Sequence, residues 1–215
     1  MSSEIGVIAG TLIDTQMGIN FLNSKNVNAL GYPISKTPKE QSRLQLLEKE
    51  ILYKKVVKNV LLAKKQGIRK IFVYCNSLSA AVDMEAVANE TNTYIITPFV
   101  AYSQIAGVFS RLLVLAANGN SCAKIETVLE KANKDIEVYS ISALPLVEKI
   151  ETGISEGKIY SKLALENILK WAEGINVEGI VLGCTHFPYI INILAKNTQI
   201  PIIDPAERMF KILTE

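Results

Sequence analysis

Gly179-Ile180-Val181-Leu182-Gly183 runs directly into Cys184-Thr185-His186-Phe187-Pro188. The first five residues are apolar without alternation, the pattern of a parallel strand buried on both faces. A cysteine and short polar side chains follow, then a helical pattern. Val73-Tyr74-Cys75-Asn76-Ser77 repeats this scheme in the first half of the chain. Each cysteine is thus expected at the carboxyl end of a strand, beside a helix N-terminus. Open α/β sheets place ligands there, and helix dipoles lower thiol pKa values there.

Outward from these stretches, short apolar segments alternate with helical ones. Strands are expected over Ile5–Ala9, Ile71–Cys75, Tyr94–Thr97, Leu112–Ala116, Glu137–Ser140, Gly179–Gly183 and Ile200–Ile203. A long helix is expected from Pro38, which suits a first turn, to Gln66, with Gly67 at its end. Further helices are expected over Ser79–Thr91, Ser121–Asn133, Lys158–Gly174, Ile190–Asn197 and Ala206–Leu213. The alternation predicts a mostly parallel α/β architecture. Because the strand-cysteine-helix scheme occurs once in each half, two related α/β lobes are expected. Their proposed limits are 1–97 plus 204–215 for the lobe carrying Cys75, and 98–203 for the lobe carrying Cys184.

The 215 residues suffice for one large or two small domains. Lys and Arg number 23 against 21 Asp and Glu, a net charge of +2, and the signs are interspersed. No basic stripe advertises nucleic acid or a membrane surface, and no apolar run reaches membrane-spanning length. Met1-Ser2-Ser3-Glu4 leads into an apolar strand without a basic leader, so no signal peptide is expected. The 3 cysteines match neither a disulfide scaffold nor a zinc pattern, which predicts a cytoplasmic protein with reduced thiols. There is no Gly-x-Gly-x-x-Gly fingerprint and no Walker loop, and a sole histidine leaves little for a nitrogen-ligated metal. No cofactor is expected.

Two thiols in matched positions suggest a two-base site. One thiolate takes a proton from one face of a carbon while the other thiol delivers one to the opposite face. A thiolate suits the task because an ordinary thiol pKa lies only about 1.5 units above neutrality. A buried cysteine is also commonly a small hydrophobe, and that reading is preferred for Cys122, between Ser121 and Ala123 in a helical stretch. His186, two residues after Cys184, either polarises that thiol or caps the turn. Asn76, Ser77 and Thr185 suit helix caps, and a capped helix start also offers N–H groups to a substrate carboxylate.

Gly183-Cys184-Thr185-His186-Phe187-Pro188 resembles the Gly-Cys-Thr-His-Tyr-Pro segment of the aspartate/glutamate racemase superfamily. Cys75-Asn76-Ser77 is similar to its Cys-Asn-Thr/Ser, and Pro145-Leu146-Val147-Glu148 to the Pro-Leu-Val-Glu of glutamate racemases. The order and rough spacing of all three fit, over nearly the whole chain. The resemblance implies two lobes related by a pseudo-two-fold axis with the site in their cleft. It also implies a cofactor-independent racemase of an aspartate- or glutamate-like amino acid, and a homodimer. Cys75 and Cys184 are then the paired acid and base. Thr11, Asn76, Ser77 and Thr185 hold substrate, and His186, Glu148 and Asp14 tune the thiols. A hydantoin racemase or maleate isomerase type of reaction, or a non-catalytic binder, remains open.

Two stretches depart from the pattern. Glutamate racemases carry Asp-Ser-Gly after their first strand, where this chain has Ala9-Gly10-Thr11. Asp14 either substitutes for the missing acid or caps the next helix. The family's Leu-Ala-Thr-x-Gly-Thr becomes Leu115-Ala116-Ala117-Asn118-Gly119-Asn120, without either threonine. Asn118 and Asn120 either bond the substrate's polar end or form a simple turn.

Overall fold

Strand β1 (Ile5–Ala9) is buried at every position, as a central parallel strand covered on both faces must be. It pairs in parallel with β2 (Ala29–Pro33) on one side and β3 (Lys70–Val73) on the other. Strand β4 (Tyr94–Ile96) pairs with β3 and completes a four-stranded sheet of order β2-β1-β3-β4. The second sheet is built from β5 (Arg111–Ala116), β6 (Glu137–Ser142), β7 (Gly179–Gly183) and β8 (Ile202–Ile203). Its order is β6-β5-β7-β8, again all parallel. Each sheet therefore runs second, first, third, fourth in chain order. The expectation of two parallel α/β lobes holds.

The computed structural model describes residues 5–37, 40, 43 and 48–215. It divides into one unit of Met1–Val100 with Ala206–Glu215, and another of Ala101–Pro205.

In the first unit, α1 (Leu12–Ser24) follows β1, and α2 (Lys49–Lys65) precedes β3. The expected helix start at Pro38 lies outside the described residues. Gly67, just past this helix, has φ +88, a backbone region that glycine enters without the penalty a Cβ would bring. The expected helix over Ser79–Thr91 is two helices, α3 (Asn76–Ala81) and α4 (Met84–Thr91). Val82 is extended between them, and Asp83 restarts the helix by accepting a bond from the Ala86 N–H at 3.0 Å. Helix α5 (Pro98–Ile105) leads toward the second unit along the chain. Phe21 of α1 stacks on Phe72 of β3 and, like it, on Tyr74. The C-terminal helix α11 (Pro205–Thr214) packs Phe210 edge-on against Phe21.

The second unit adds α6 (Gly119–Ala132), α7 (Leu144–Glu151), α8 (Glu156–Lys162), α9 (Leu165–Gly174) and α10 (Ile191–Lys196). Its core joins Leu113, Leu115, Ile180 and Leu182 of the strands to Leu146, Ile159, Leu169 and Leu194 of the helices. The expected helix over Lys158–Gly174 breaks at Ala164, which takes a left-handed φ of +49.

Strand β2 and helices α5 and α7 fall where no element was expected, and α1 was anticipated only as the helix that Asp14 would cap, without bounds. β2 carries Gly31 and Pro33 and is half exposed, as an edge strand that tolerates proline can be. α1 contains Gly18, where a Cβ would come within 2.7 Å of Val7 Cγ1 and 2.8 Å of Tyr74 Cβ. Close packing on the sheet excludes a larger residue, and the glycine hides the helical pattern. Among the described residues no helix is long and apolar enough to cross a membrane.

Candidate active site

In each sheet the chain reverses its direction of strand addition between the first and third strands. Ligands of open α/β sheets bind beyond the carboxyl ends of strands at such a reversal. Thr11 follows β1 and Cys75 follows β3, on either side of the first reversal. Asn118 follows β5 and Cys184 follows β7, on either side of the second.

At the first, Thr11 is the N-cap of α1 and Asp14 sits at the third helical position. The Asp14 N–H donates to Thr11 Oγ1 and the Thr11 N–H donates to Asp14 Oδ2, both at 3.2 Å. This reciprocal pair is a capping box. Cys75 is the N-cap of α3, with an extended backbone. Its carbonyl accepts from the Ser79 N–H at 3.1 Å and from Ser79 Oγ at 2.9 Å. Its Sγ lies 3.4 Å from Ser77 Oγ. Asn76 is buried and Ser77 is half-buried.

Cys75 is 3% exposed and Asp14 4%. Burial, and then the Asp14 carboxylate, push the Cys75 thiol up to about 11. The Ser77 hydroxyl and the Leu78 and Gly10 amides pull the other way and lose. The expectation that a helix N-terminus lowers this thiol pKa is therefore reversed. α3 is only 6 residues long, and its partial charge is outweighed by desolvation and a full negative charge nearby.

At the second reversal, Gly183 has no room for a side chain. A Cβ would meet Ile125 Cδ1 at 2.7 Å and the Leu115 carbonyl oxygen at 3.0 Å. This close approach brings Cys184 to the strand end. No helix N-terminus follows directly. The Cys184 carbonyl accepts from the Phe187 N–H at 3.0 Å, and a short 3₁₀ turn over Phe187–Ile190 precedes α10. Cys184 Sγ is 3.7 Å from His186 Nδ1, and His186 Nε2 is 3.1 Å from Glu151 Oε1. Cys184 and His186 are buried, at 8% and 6% exposure.

The other expected residues are placed as follows. Thr185 is half-buried in the turn. Asn118 caps α6, its Oδ1 accepting from the Ser121 N–H at 2.9 Å. Asn118 and Asn120 are exposed. Glu148 is exposed on α7. Cys122 is buried near the start of α6. The carboxylate on His186 is Glu151, three residues beyond Glu148 on the same helix. The Pro-Leu-Val-Glu match points to Glu148; the only sign of Glu151 in the sequence is a second acid three residues on, one turn along the same side of the helix. Among the described residues no cluster of His, Cys, Asp and Glu could hold a metal ion.

No protein-family model matches the chain. It is 30% identical over 147 residues to the glutamate racemase of Clostridium acetobutylicum, covering 66% of this chain and 57% of that protein. To glutamate racemase 3 of Caldanaerobacter subterraneus it is 26% identical over 150 residues, covering 68% of this chain and 54% of that one. The crystal structure of Francisella tularensis glutamate racemase in complex with D-glutamate is similar over 99% of this chain and 80% of its own, with TM-score 0.74 and 23% identity. An aspartate racemase homologue from Pyrococcus horikoshii is similar over 99% of this chain and 100% of its own, with TM-score 0.70 and 16% identity. In sequence the chain is similar to glutamate racemases, and in fold to glutamate and aspartate racemases.

The chain spans about half the length of the curated relatives it matches. Its departures lie in the strand-end loops. Gly10 and Thr11 follow β1, with the nearest acid one turn into α1, and Ala117 and Asn120 flank the α6 cap.

Proposed function

We propose that this protein is a cofactor-independent racemase that inverts the α-carbon of an aspartate- or glutamate-like amino acid. One thiolate takes the α-proton and the other thiol returns a proton to the opposite face. The observation that carries the reading is topological: each unit sets one cysteine just beyond the third strand of an identically ordered sheet. Relatives named glutamate racemase, and the Francisella protein seen with D-glutamate, support the choice of substrate class.

Cys75, held up at about 11, serves as the thiol acid of the resting protein, and Cys184 beside His186 as the base. Thr11, Asn76, Ser77 and Thr185 offer hydroxyls and an amide to the substrate's carboxylate and amino groups. Asn118 and Asn120 stand toward its side chain. Asp14 and His186, the latter bonded to Glu151, support the thiols. The reading requires both sulfurs to flank one α-carbon, and it takes the protein to be a cytoplasmic homodimer.

A panel of free amino acids incubated in deuterated water tests it. Incorporation of α-deuterium with loss of optical activity is expected for an acidic amino acid. Exchange with none of them sinks the racemase and leaves a binder on the same fold, which the loss of polar groups at Ala117 favours.

A further inference from the structure

We propose that a groove along α2, beside the carboxyl end of α4, is a binding site for a single-chain aliphatic carboxylate. The two helices pack on each other and end shortly before β3 and β4 begin. The Lys64, Lys65 and Glu90 end of the groove therefore lies toward the amino ends of these strands. Cys75 follows the carboxyl end of β3, so the groove is not the strand-end site described above.

The groove encloses about 640 Å³, a volume typical of small-molecule pockets. Tyr53, Val57, Leu61 and Leu62 give it an apolar lining. Leu61 and Leu62 are 40% and 47% exposed, so a hydrocarbon chain laid against them removes apolar surface from water. Two bonds hold the walls in place. The Tyr53 hydroxyl donates to Glu90 Oε2 at 2.7 Å, and Lys64 Nζ donates to the Thr91 carbonyl at 2.6 Å. Both ends of the groove segment of α2 are thus tied to the end of α4.

The polar groups select the head of the ligand. The Glu90 carboxylate is engaged by Tyr53, and Lys64 is committed to a carbonyl of α4. Lys54 is paired with Glu50 at 2.8 Å. Lys58 and Lys65 also line the groove and make no ion pair among the described residues. They stand two turns apart on one face of α2. Each lysine lays its stem along apolar surface and carries a mobile point charge at its tip. An alkyl chain on the leucines with a carboxylate at one of these ammonium groups meets both demands. A second copy of the same face would set Lys58 and Lys65 against their own kind, and like charges repel. A planar bilayer cannot enter the recess.

Hexanoate, octanoate and decanoate titrated into the full chain, below their micelle concentrations, test the site by backbone amide shifts and calorimetry. Shifts are expected in α2 and at the end of α4, with affinity rising about threefold to fourfold per added methylene. Decanol, the same chain without the charge, is expected to bind about tenfold more weakly or worse. In Lys58→Gln/Lys65→Gln decanoate should bind no better than decanol, and Leu61→Ser should flatten the chain-length series. Absence of binding overturns the proposal, as does decanol binding as tightly as decanoate, or shifts centred on the residues around Cys75 or Cys184. Attachment of the protein to phosphatidylglycerol vesicles without binding of decanoate also overturns it. Should a variant fail to fold, the wild-type comparison of decanol with decanoate decides. No arm reads racemisation, so failure of the racemase reading leaves the result standing.

Discussion

Asp14 and Cys75 are coupled across the first strand reversal: burial, and after it the carboxylate that caps the neighbouring helix, raise the Cys75 thiol pKa to about 11. A residue needed to start α1 therefore also sets the protonation state of a candidate catalytic group. Thr11 and Asp14 bond each other, and the cap that holds the helix holds the charge in place.

Exchanging Asp14 for Asn separates the two roles. The amide oxygen still accepts from the Thr11 N–H, so the cap survives while the charge goes. The Cys75 thiol is then expected to titrate at lower pH, seen as thiolate absorbance in a Cys122→Ser background and assigned by its loss in Cys75→Ser. An unchanged or higher midpoint would show that Asp14 does not act on this sulfur. Asp14→Ala removes the cap as well and is expected to cost a further 0.5–2 kcal/mol or so of stability.

The raised thiol also predicts how stability depends on pH. The folded value of about 11 lies above the ordinary 9.0. Between these values the unfolded chain releases the Cys75 proton and the folded chain keeps it, so unfolding gains. The contribution is whole below pH 9 or so and lost as pH rises to about 11, a change of about 2–3 kcal/mol. Urea unfolding across this range should show a shallower alkaline fall in Cys75→Ser than in the wild type. Parallel curves would refute it.

Cys75→Ser and Cys184→Ser are each expected to abolish inversion while the fold remains, because serine keeps the size and loses the acidity. Each variant still holds one thiol, so α-proton exchange from a single enantiomer can persist. Mass analysis of each enantiomer after incubation in deuterated water distinguishes exchange from inversion. Racemisation at the wild-type rate by both variants would end the two-base reading. Cys122→Ser, in the buried face of α6, should change little.

The apolar runs of β1, β5 and β7 made both sheets legible, since strands buried on both faces leave an unbroken pattern. The position of Cys184 followed from the β7 run, and that of Cys75 from the run of β3. Less legible was β2, an exposed edge with a glycine and a proline, and the split of the expected Ser79–Thr91 helix, which turns on one extended residue, Val82. The thiol pKa of Cys75 could not be read from a strand-to-helix motif, because it depends on burial and on a carboxylate 61 positions away in sequence. Glu151 was missed for a similar reason. Which of two acids on one helix meets His186 is a matter of helix rotation, and a four-residue motif does not carry it.

Gly18 links packing to the site. A Cβ there would meet Val7 Cγ1 at 2.7 Å, Tyr74 Cβ at 2.8 Å and Tyr74 Cγ at 2.9 Å. Val7 and Tyr74 are buried in the sheet and cannot give way, so in Gly18→Ala α1 must lift. Alanine gains about 1 kcal/mol of helix propensity, but forcing a methyl into a packed interface costs about 1–3 kcal/mol. Net destabilisation is expected. The site should suffer too, because α1 carries Thr11 and Asp14, and Tyr74 precedes Cys75. Gly157→Ala is the contrast: it lies in α8 with nothing within 4 Å of a Cβ, and is expected to stabilise by about 0.4–1 kcal/mol. Urea unfolding and kcat of the two variants check the pair. A Gly18→Ala protein as stable and as active as the wild type would show that α1 does not pack on β1 and β3 as described.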